Sequence, residues 1–203
     1  MQKRQARIAV LVSGGGTNLQ ALIDAERRGS LKSGKIVLVI SNNPSAYALE
    51  RAEEAGIPSL VIAKREFGSQ EEFEMQMINA LEEYQADVIV LAGFMSILSE
   101  RFTGFYPKRI INVHPSLIPS FCGKGFYGLH VHEAVIKAGV KVTGATVHFV
   151  NEIPDGGEII MQKAVSVRKN DTPESLQKRV MRTAEWKILP ASVEKVCAAL
   201  VKK

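Results

Sequence analysis

The sequence predicts an α/β fold: a doubly wound, mostly parallel sheet with an antiparallel edge. Three observations predict it. Continuous apolar runs such as Ile8-Ala9-Val10-Leu11-Val12 and Ile36-Val37-Leu38-Val39-Ile40 read as strands buried on both faces, the mark of a parallel sheet covered by helices. These runs alternate with segments whose apolar residues recur at helical spacing. Near the C-terminus, runs at 143–150 and 158–167 are joined only by Asn151-Glu152-Ile153-Pro154-Asp155-Gly156-Gly157, a link short enough to favour antiparallel pairing. The 203 residues read as one domain, 1–203, with a Rossmann-like half to about residue 110 and a second half from about 111.

Each element has its own signal. The strand at 7–12 ends in a glycine cluster and leads into a helix with Leu19, Leu22 and Ile23 on one face. A strand at 36–40 is followed by a helix at 46–55, stopped by Gly56 as its C-cap. After a short run at 60–62, a helix spans about 69–84, with Phe73, Met77 and Leu81 at i, i+4 and i+8. Residues 88–91 and 109–112 are the next strands, and a helix starts near His130 and His132. For the last helix, Asp171 or Thr172 is the expected N-cap, with Pro173 in the first turn and Glu174 closing a capping box from Asp171. Leu176, Val180 and Ala184 line its buried side, and Pro190 is expected to kink or restart it.

Composition narrows the function. The chain is 46% hydrophobic and 23% charged, which is ordinary for a soluble globular protein. No apolar run approaches the ~18 residues of a membrane span. Met1-Gln2-Lys3-Arg4-Gln5 lacks the architecture of a signal peptide, so a cytoplasmic protein without membrane partners is expected. Cys122 and Cys197 are too few for a disulfide framework or zinc knuckle. Cys122 has no base beside it in sequence and reads as an incidental thiol. The net charge of +5 suits anionic partners, whether nucleic acid or small phosphorylated or carboxylated ligands. Charge alone does not separate these, but no basic run is interleaved with aromatics.

Ser13-Gly14-Gly15-Gly16-Thr17-Asn18 joins the first strand to the first helix. Glycines let backbone approach a ligand closely, and a helix N-terminus offers free N–H groups to an anion, so a phosphate is expected here. The absence of Gly-Lys-Ser/Thr excludes a Walker A loop. Leu19 stands where a dinucleotide fingerprint has its third glycine, and Ser41-Asn42-Asn43 replaces the ribose-binding acid, which argues against NAD.

Asn112-Val113-His114-Pro115-Ser116-Leu117-Ile118-Pro119 places an amide and an imidazole two residues apart after an apolar run. In a strand, such residues share a face and can converge on one polar group. The pair suits a carbonyl that becomes an oxyanion, one group donating a hydrogen bond and the other moving a proton. Asp155, bent into place by Gly156 and Gly157, is the carboxylate expected to raise the pKa of that imidazole and hold its tautomer, or to relay a proton through water. His130 and His132 lack supporting metal-ligand spacing, and no metal is expected.

These motifs, with Leu91-Ala92-Gly93-Phe94-Met95 and His148-Phe149-Val150, occur in an order that resembles the phosphoribosylglycinamide formyltransferases, folate-dependent enzymes of purine biosynthesis. The resemblance covers nearly the whole chain. It implies the formyltransferase fold, with a nucleotide-binding first half and a folate-binding, catalytic second half. It implies transfer of the formyl group of 10-formyltetrahydrofolate to the glycyl amine of 5-phosphoribosylglycinamide, by direct attack and without a covalent enzyme intermediate. Asn112, His114 and Asp155 match the catalytic triad. The Asn112 amide and a protonated His114 would stabilise the oxyanion, and Asp155 would keep that ring charged and shuttle the amine proton. Gly16, Thr17 and Asn18 match the phosphate loop, Arg182 a phosphate contact and Glu185 the carboxylate that binds ribose hydroxyls. Arg182 and Glu185, one helical turn apart, are expected to share a face. Gln70, Met95, Ser96, Ile97, Leu98, Asn112 and Val150 match the folate side. Small molecules are the implied partners, without nucleic acid, and the implied assembly is a monomer or homodimer.

Two positions depart from the family pattern: Ser96 and Gln70 stand where relatives often carry arginine, and Lys64, Arg65 or Lys124 are the expected substitutes. The loop at 120–128 is longer than in several relatives. The alternatives are a formyltetrahydrofolate hydrolase, which carries an added N-terminal domain, and methionyl-tRNA formyltransferase, which carries an added C-terminal one. A non-catalytic nucleotide-binding module on the same fold is the third.

Overall fold

The computed structural model describes residues 4–202; Met1, Gln2, Lys3 and Lys203 of the N-terminal and domain expectations lie outside the described residues. Seven strands form one sheet in the order β3-β2-β1-β4-β5-β6-β7. They are β1 Ala6–Val12, β2 Gly34–Ser41, β3 Ser59–Val61, β4 Val88–Leu91, β5 Ile110–His114, β6 Val142–Phe149 and β7 Ile159–Ser166. The pairings β1–β2, β2–β3, β1–β4 and β4–β5 are parallel. Those of β6 with β5 and β7 are antiparallel, as the short 151–157 link requires. The chain winds from β1 outward to β3, then returns to β4 on the other side of β1. That reversal opens a crevice at the carboxyl ends of β1 and β4.

The helices are α1 Thr17–Arg27, α2 Tyr47–Glu54, α3 Gln70–Glu83, α4 Glu100–Phe105, α5 Leu129–Lys137, α6 Pro173–Val180 and α7 Trp186–Val201. Strand residues alternate between two apolar layers. Ile8, Val10, Val90 and Ile111 pack with Leu19 and Leu22 of α1 and Leu189 and Val193 of α7. Ala9, Leu11, Ile89 and Ile110 pack with Phe73, Met77 and Leu81 of α3 and Phe102 of α4. Asn112 and His114 share the face of Ile110, so the polar pair continues the α3/α4 side beyond the point where the core ends.

The C-terminal helical segment differs from expectation at two points. Thr172, one of the two expected caps, is the N-cap, but its capping box closes on Ser175 rather than Glu174. Asp171 instead pairs with Arg179, the stronger partner for a carboxylate, and accepts from the Ser175 hydroxyl. Pro190 lies inside α7, while the irregular turn is a π segment at Met181–Glu185, one turn earlier. The N–H that Pro190 lacks would have met the Trp186 carbonyl inside α7, so the π turn lies ahead of the turn that the proline disturbs. A short 3₁₀ turn at Lys64–Glu66 and the six-residue α4 also lay beyond the reach of periodicity.

The Thr172 side chain accepts from the Ser175 N–H at the start of α6. Thr172→Ala is expected to lower stability by about 1 kcal/mol. A denaturant midpoint equal to wild type would show that this cap carries no weight.

Candidate active site

Two strands and one link meet at the carboxyl edge of the sheet. β5 delivers Asn112 and His114, β6 delivers His148, and the 151–157 link delivers Asp155. Asn112 stands directly opposite His148 in the β5–β6 register, and its Nδ2 lies 3.2 Å from His148 Nε2. A bulge between Val147 and His148 aims that ring. Asp155 lies between the two imidazoles, with Oδ2 at 3.5 Å from His114 Nδ1 and Oδ1 at 3.6 Å from His148 Nε2. Its Oδ2 also accepts from the Gly123 N–H at 2.8 Å. Asp155 occupies the left-handed region, φ 58°, which costs a non-glycine residue about 1 kcal/mol or more. Two residues on, a Cβ on Gly157 would sit 1.7 Å from the Phe149 carbonyl oxygen, so only glycine fits there.

The partners fix the protons. His148 Nδ1 faces the Phe149 carbonyl at 2.8 Å, and a carbonyl only accepts, so Nδ1 carries the hydrogen. Nε2 is then an acceptor for Asn112, which leaves the second amide N–H of Asn112 uncommitted. By the same logic His114 Nε2 donates to the Phe121 carbonyl at 2.8 Å, and Nδ1 faces Asp155. Burial pushes His114 below its ordinary pKa, and the opposing pulls of Asp155 and Phe121 do not reverse that. Asp155 does pull the pKa of this imidazole upward, as expected, but the ring is only 4% exposed and desolvation wins, so the net shift is downward and the carboxylate does not keep the ring charged. Burial also works against the Asp155 carboxylate, but His148, Gly123 and His114 together hold its pKa below the usual value. Nδ1 of His114 is thus an empty proton site beside a charged carboxylate.

The glycine loop is held from both sides. Ser13 Oγ accepts from the Met95 N–H at 2.8 Å, and the Gly14 carbonyl accepts from Ala48 at 3.0 Å. Gly16, at φ 68°, presses on Ala48, where an added Cβ would come within 2.7 Å. Thr17 and Asn18 then open α1. Asn18 Nδ2 donates to Glu185 Oε2 at 2.8 Å, while Asn18 Oδ1 has no partner among the described residues. Burial raises the Glu185 carboxyl from 4.5 to about 7. Arg182 does not share a face with Glu185 as expected. In a π turn the hydrogen bonds reach back five residues, so Glu185 is turned inward while Arg182 is exposed beside Thr17.

A cavity of about 130 Å³ opens from this cluster, lined by Asn112, His148 and Asp155 at one end and by Ser96, Ile97, Leu98 and Val150 among its walls. Met95 does not line it and is exposed. Gln70 is also elsewhere: it bonds Glu74 and the Ile97 carbonyl and borders a separate cavity between α3 and α4. Lys64, Arg65 and Lys124 are absent from the wall as well. His148 is the site residue that sequence reasoning missed as a functional group; its signal was available only once Asn112 and His148 were paired across strands. Cys122 donates to the Pro119 carbonyl, and burial with Asp155 nearby raises its thiol pKa, which disfavours a nucleophile. His130 pairs with Glu133, and among the described residues no group of three or more His, Cys, Asp or Glu is placed to hold a metal.

The sequence profile of the family described as formyl transferase matches residues 6–193. The chain is 46% identical over 202 residues to a trifunctional purine biosynthetic protein adenosine-3 of Bos taurus, covering 100% of this chain and 19% of that protein. It thus spans about a fifth of the length of that relative. It is 41% identical over 183 residues to the phosphoribosylglycinamide formyltransferase of Escherichia coli, covering 90% of this chain and 83% of the relative. The crystal structure of glycinamide ribonucleotide transformylase 1 from Symbiobacterium toebii superposes with a TM-score of 0.90 at 38% identity, over 96% of this chain and 89% of that one.

The raised Glu185 carboxyl makes a test. Between 4.5 and about 7 the folded chain keeps a proton that the unfolded chain has released. The stability this group contributes is therefore complete below pH 4.5 and lost as pH rises through about 7. Relative to Glu185→Gln, which does not titrate, wild type should lose denaturant stability between pH 4.5 and about pH 7. A flat difference over that range contradicts the raised carboxyl.

Proposed function

Because the chain belongs to the formyl transferase family, we propose that it transfers the formyl group of 10-formyltetrahydrofolate to the glycyl amine of 5-phosphoribosylglycinamide, a step of purine biosynthesis. The observation that carries this reading is the Asn112–His114–His148–Asp155 cluster, which opens into a cavity with apolar walls at the same carboxyl edge of the sheet as the glycine loop. Each side has the chemistry its substrate needs. Gly16, Thr17 and Asn18 offer the N-terminus of α1 to a phosphate. Asn18 Oδ1 and the Glu185 carboxyl are buried acceptors of the kind that bind sugar hydroxyls. On the other side, Leu98 and Val150 suit a flat heterocycle. At about 130 Å³ the cavity takes the reacting end of a folate, not the whole molecule.

The folate would supply an activated one-carbon carbonyl. The residues of the chain do the rest. His148 fixes the Asn112 carboxamide, whose free N–H is left to donate to the oxyanion that forms as the amine attacks. His114, neutral at the outset, takes the amine proton at Nδ1. Asp155 stabilises the resulting imidazolium, which then returns the proton to the leaving nitrogen. Holding both partners against one cluster supplies much of the remaining acceleration. We read the enzyme as cytoplasmic, with small molecules as its substrates.

The test is to incubate the protein with 10-formyltetrahydrofolate, with and without 5-phosphoribosylglycinamide, and to follow formyl transfer and formate release. Turnover that needs the ribonucleotide supports the proposal. Formate release without it would move the reading to a hydrolase, and no turnover to a binding module. His114→Ala and Asp155→Asn are each expected to lower kcat by roughly 10²–10⁴-fold with the fold intact. A variant that keeps near wild-type turnover removes its residue from the mechanism.

A further inference from the structure

A cavity of about 370 Å³ lies outside the cluster of Asn112, His114 and Asp155, along the outer side of α1 where it meets α2 and α7. It runs from Thr17 past Gln20 and Asp24 to Arg28, which on a helix is about 16 Å. Its volume falls in the range of small-molecule sites, about 300–1,000 Å³. Four cationic side chains, Arg28, Arg51, Arg182 and Lys187, face one carboxylate, Asp24. That carboxylate is already turned onto Gln20, whose Nε2 donates to Asp24 Oδ1 at 2.9 Å. Positive charge is therefore concentrated in a concave space, where an anion meets the strongest field.

Two further features narrow the ligand. Arg51 is held rigidly, with Nε donating to the Gly15 carbonyl at 2.8 Å, Nη1 to Gln20 Oε1 at 2.9 Å, and its guanidinium over the Tyr47 ring. A fixed guanidinium with N–H groups to spare is suited to a phosphate oxygen pair. The wall is completed by Ala21 and the Trp186 indole. Trp186 Nε1 is enclosed and has no hydrogen-bond partner among the described residues, so what this residue offers a ligand at the cavity wall is its apolar ring.

We infer that this cavity is a second binding site, for a phosphate ester that carries a flat ring, with the phosphate between Arg51 and Arg182 and the ring against Trp186. A nucleotide has this chemistry. Thr17 and Arg182 border both this cavity and the proposed phosphate site. A ligand bound here therefore competes with the phosphate of the ribonucleotide, and only this consequence rests on the formyl-transfer reading.

Trp186 is the single tryptophan of the chain, so its emission reports on the cavity directly. The experiment titrates the whole protein with AMP, ribose 5-phosphate and inorganic phosphate while following that emission. It is repeated on the double variant Arg28→Glu, Lys187→Glu, with Arg28→Gln, Lys187→Gln as a milder form should charge reversal impair folding. Arg28 lies past the end of α1 opposite Thr17, and neither Arg28 nor Lys187 belongs to the catalytic cluster or the glycine loop, so formyl transfer without AMP should match wild type. The expected result is a saturable AMP response, about ten-fold tighter than that of ribose 5-phosphate or phosphate and weakened about ten-fold in the double variant. AMP should also raise the KM for the ribonucleotide without lowering kcat. No saturable response overturns the inference. So does a response the variants leave unchanged, which places the ligand in the glycine loop alone. Equal binding of AMP and inorganic phosphate would reduce the cavity to a bare anion site and overturn it too. A protein that responds to AMP but transfers no formyl group keeps this site and loses only the competition.

Discussion

The site depends on one carboxylate. Asp155 reaches the Gly123 N–H, the His114 ring and the His148 ring at once, and so ties the 120–128 loop to β5 and β6. The backbone accepts a left-handed conformation at Asp155 and a glycine-only contact at Gly157 to place it there. Strain of that kind persists only where the surroundings over-determine the geometry. Here they do, because antiparallel pairing of β5 with β6 puts Asn112 and His148 opposite each other, and the bulge beside His148 completes the aim.

Burial acts on three titratable groups in this region with different outcomes. At Asp155, the Gly123 N–H and the two flanking imidazoles together overcome desolvation and the carboxyl stays charged. At Glu185 a single amide donor does not, and the carboxyl rises to about 7. At His114, desolvation beats a carboxylate 3.5 Å away, and the ring stays neutral. The result is a division of labour: a charged group beside an empty proton site, and a more weakly acidic one beside the glycine loop. In the proposed transfer, the imidazole therefore accepts a proton before it donates one.

Much of this was readable from the residues. Apolar runs such as Ile36-Val37-Leu38-Val39-Ile40 marked the parallel strands, and the short 151–157 link marked the antiparallel edge. The shared face of Asn112 and His114 followed from strand periodicity. What escaped was what needs register or competition between neighbours. The Asn112–His148 bond exists only through a cross-strand pairing that local pattern does not specify. The capping box closed on Ser175 rather than Glu174, with Asp171 held by Arg179. The π turn at Met181–Glu185 split Arg182 from Glu185, and no residue type announces such a turn. Gln70 was placed by family pattern, yet its amide is taken by Glu74 and the Ile97 carbonyl.

The most direct test of this account is the protonation state of His114, read from the nitrogen chemical shifts of its ring in ¹⁵N-histidine-labelled protein. The account predicts a neutral ring at about pH 7, with the hydrogen on Nε2 and Nδ1 bare. A doubly protonated His114 at that pH in the unliganded protein would contradict it, and would return the imidazole to the role of a preformed acid.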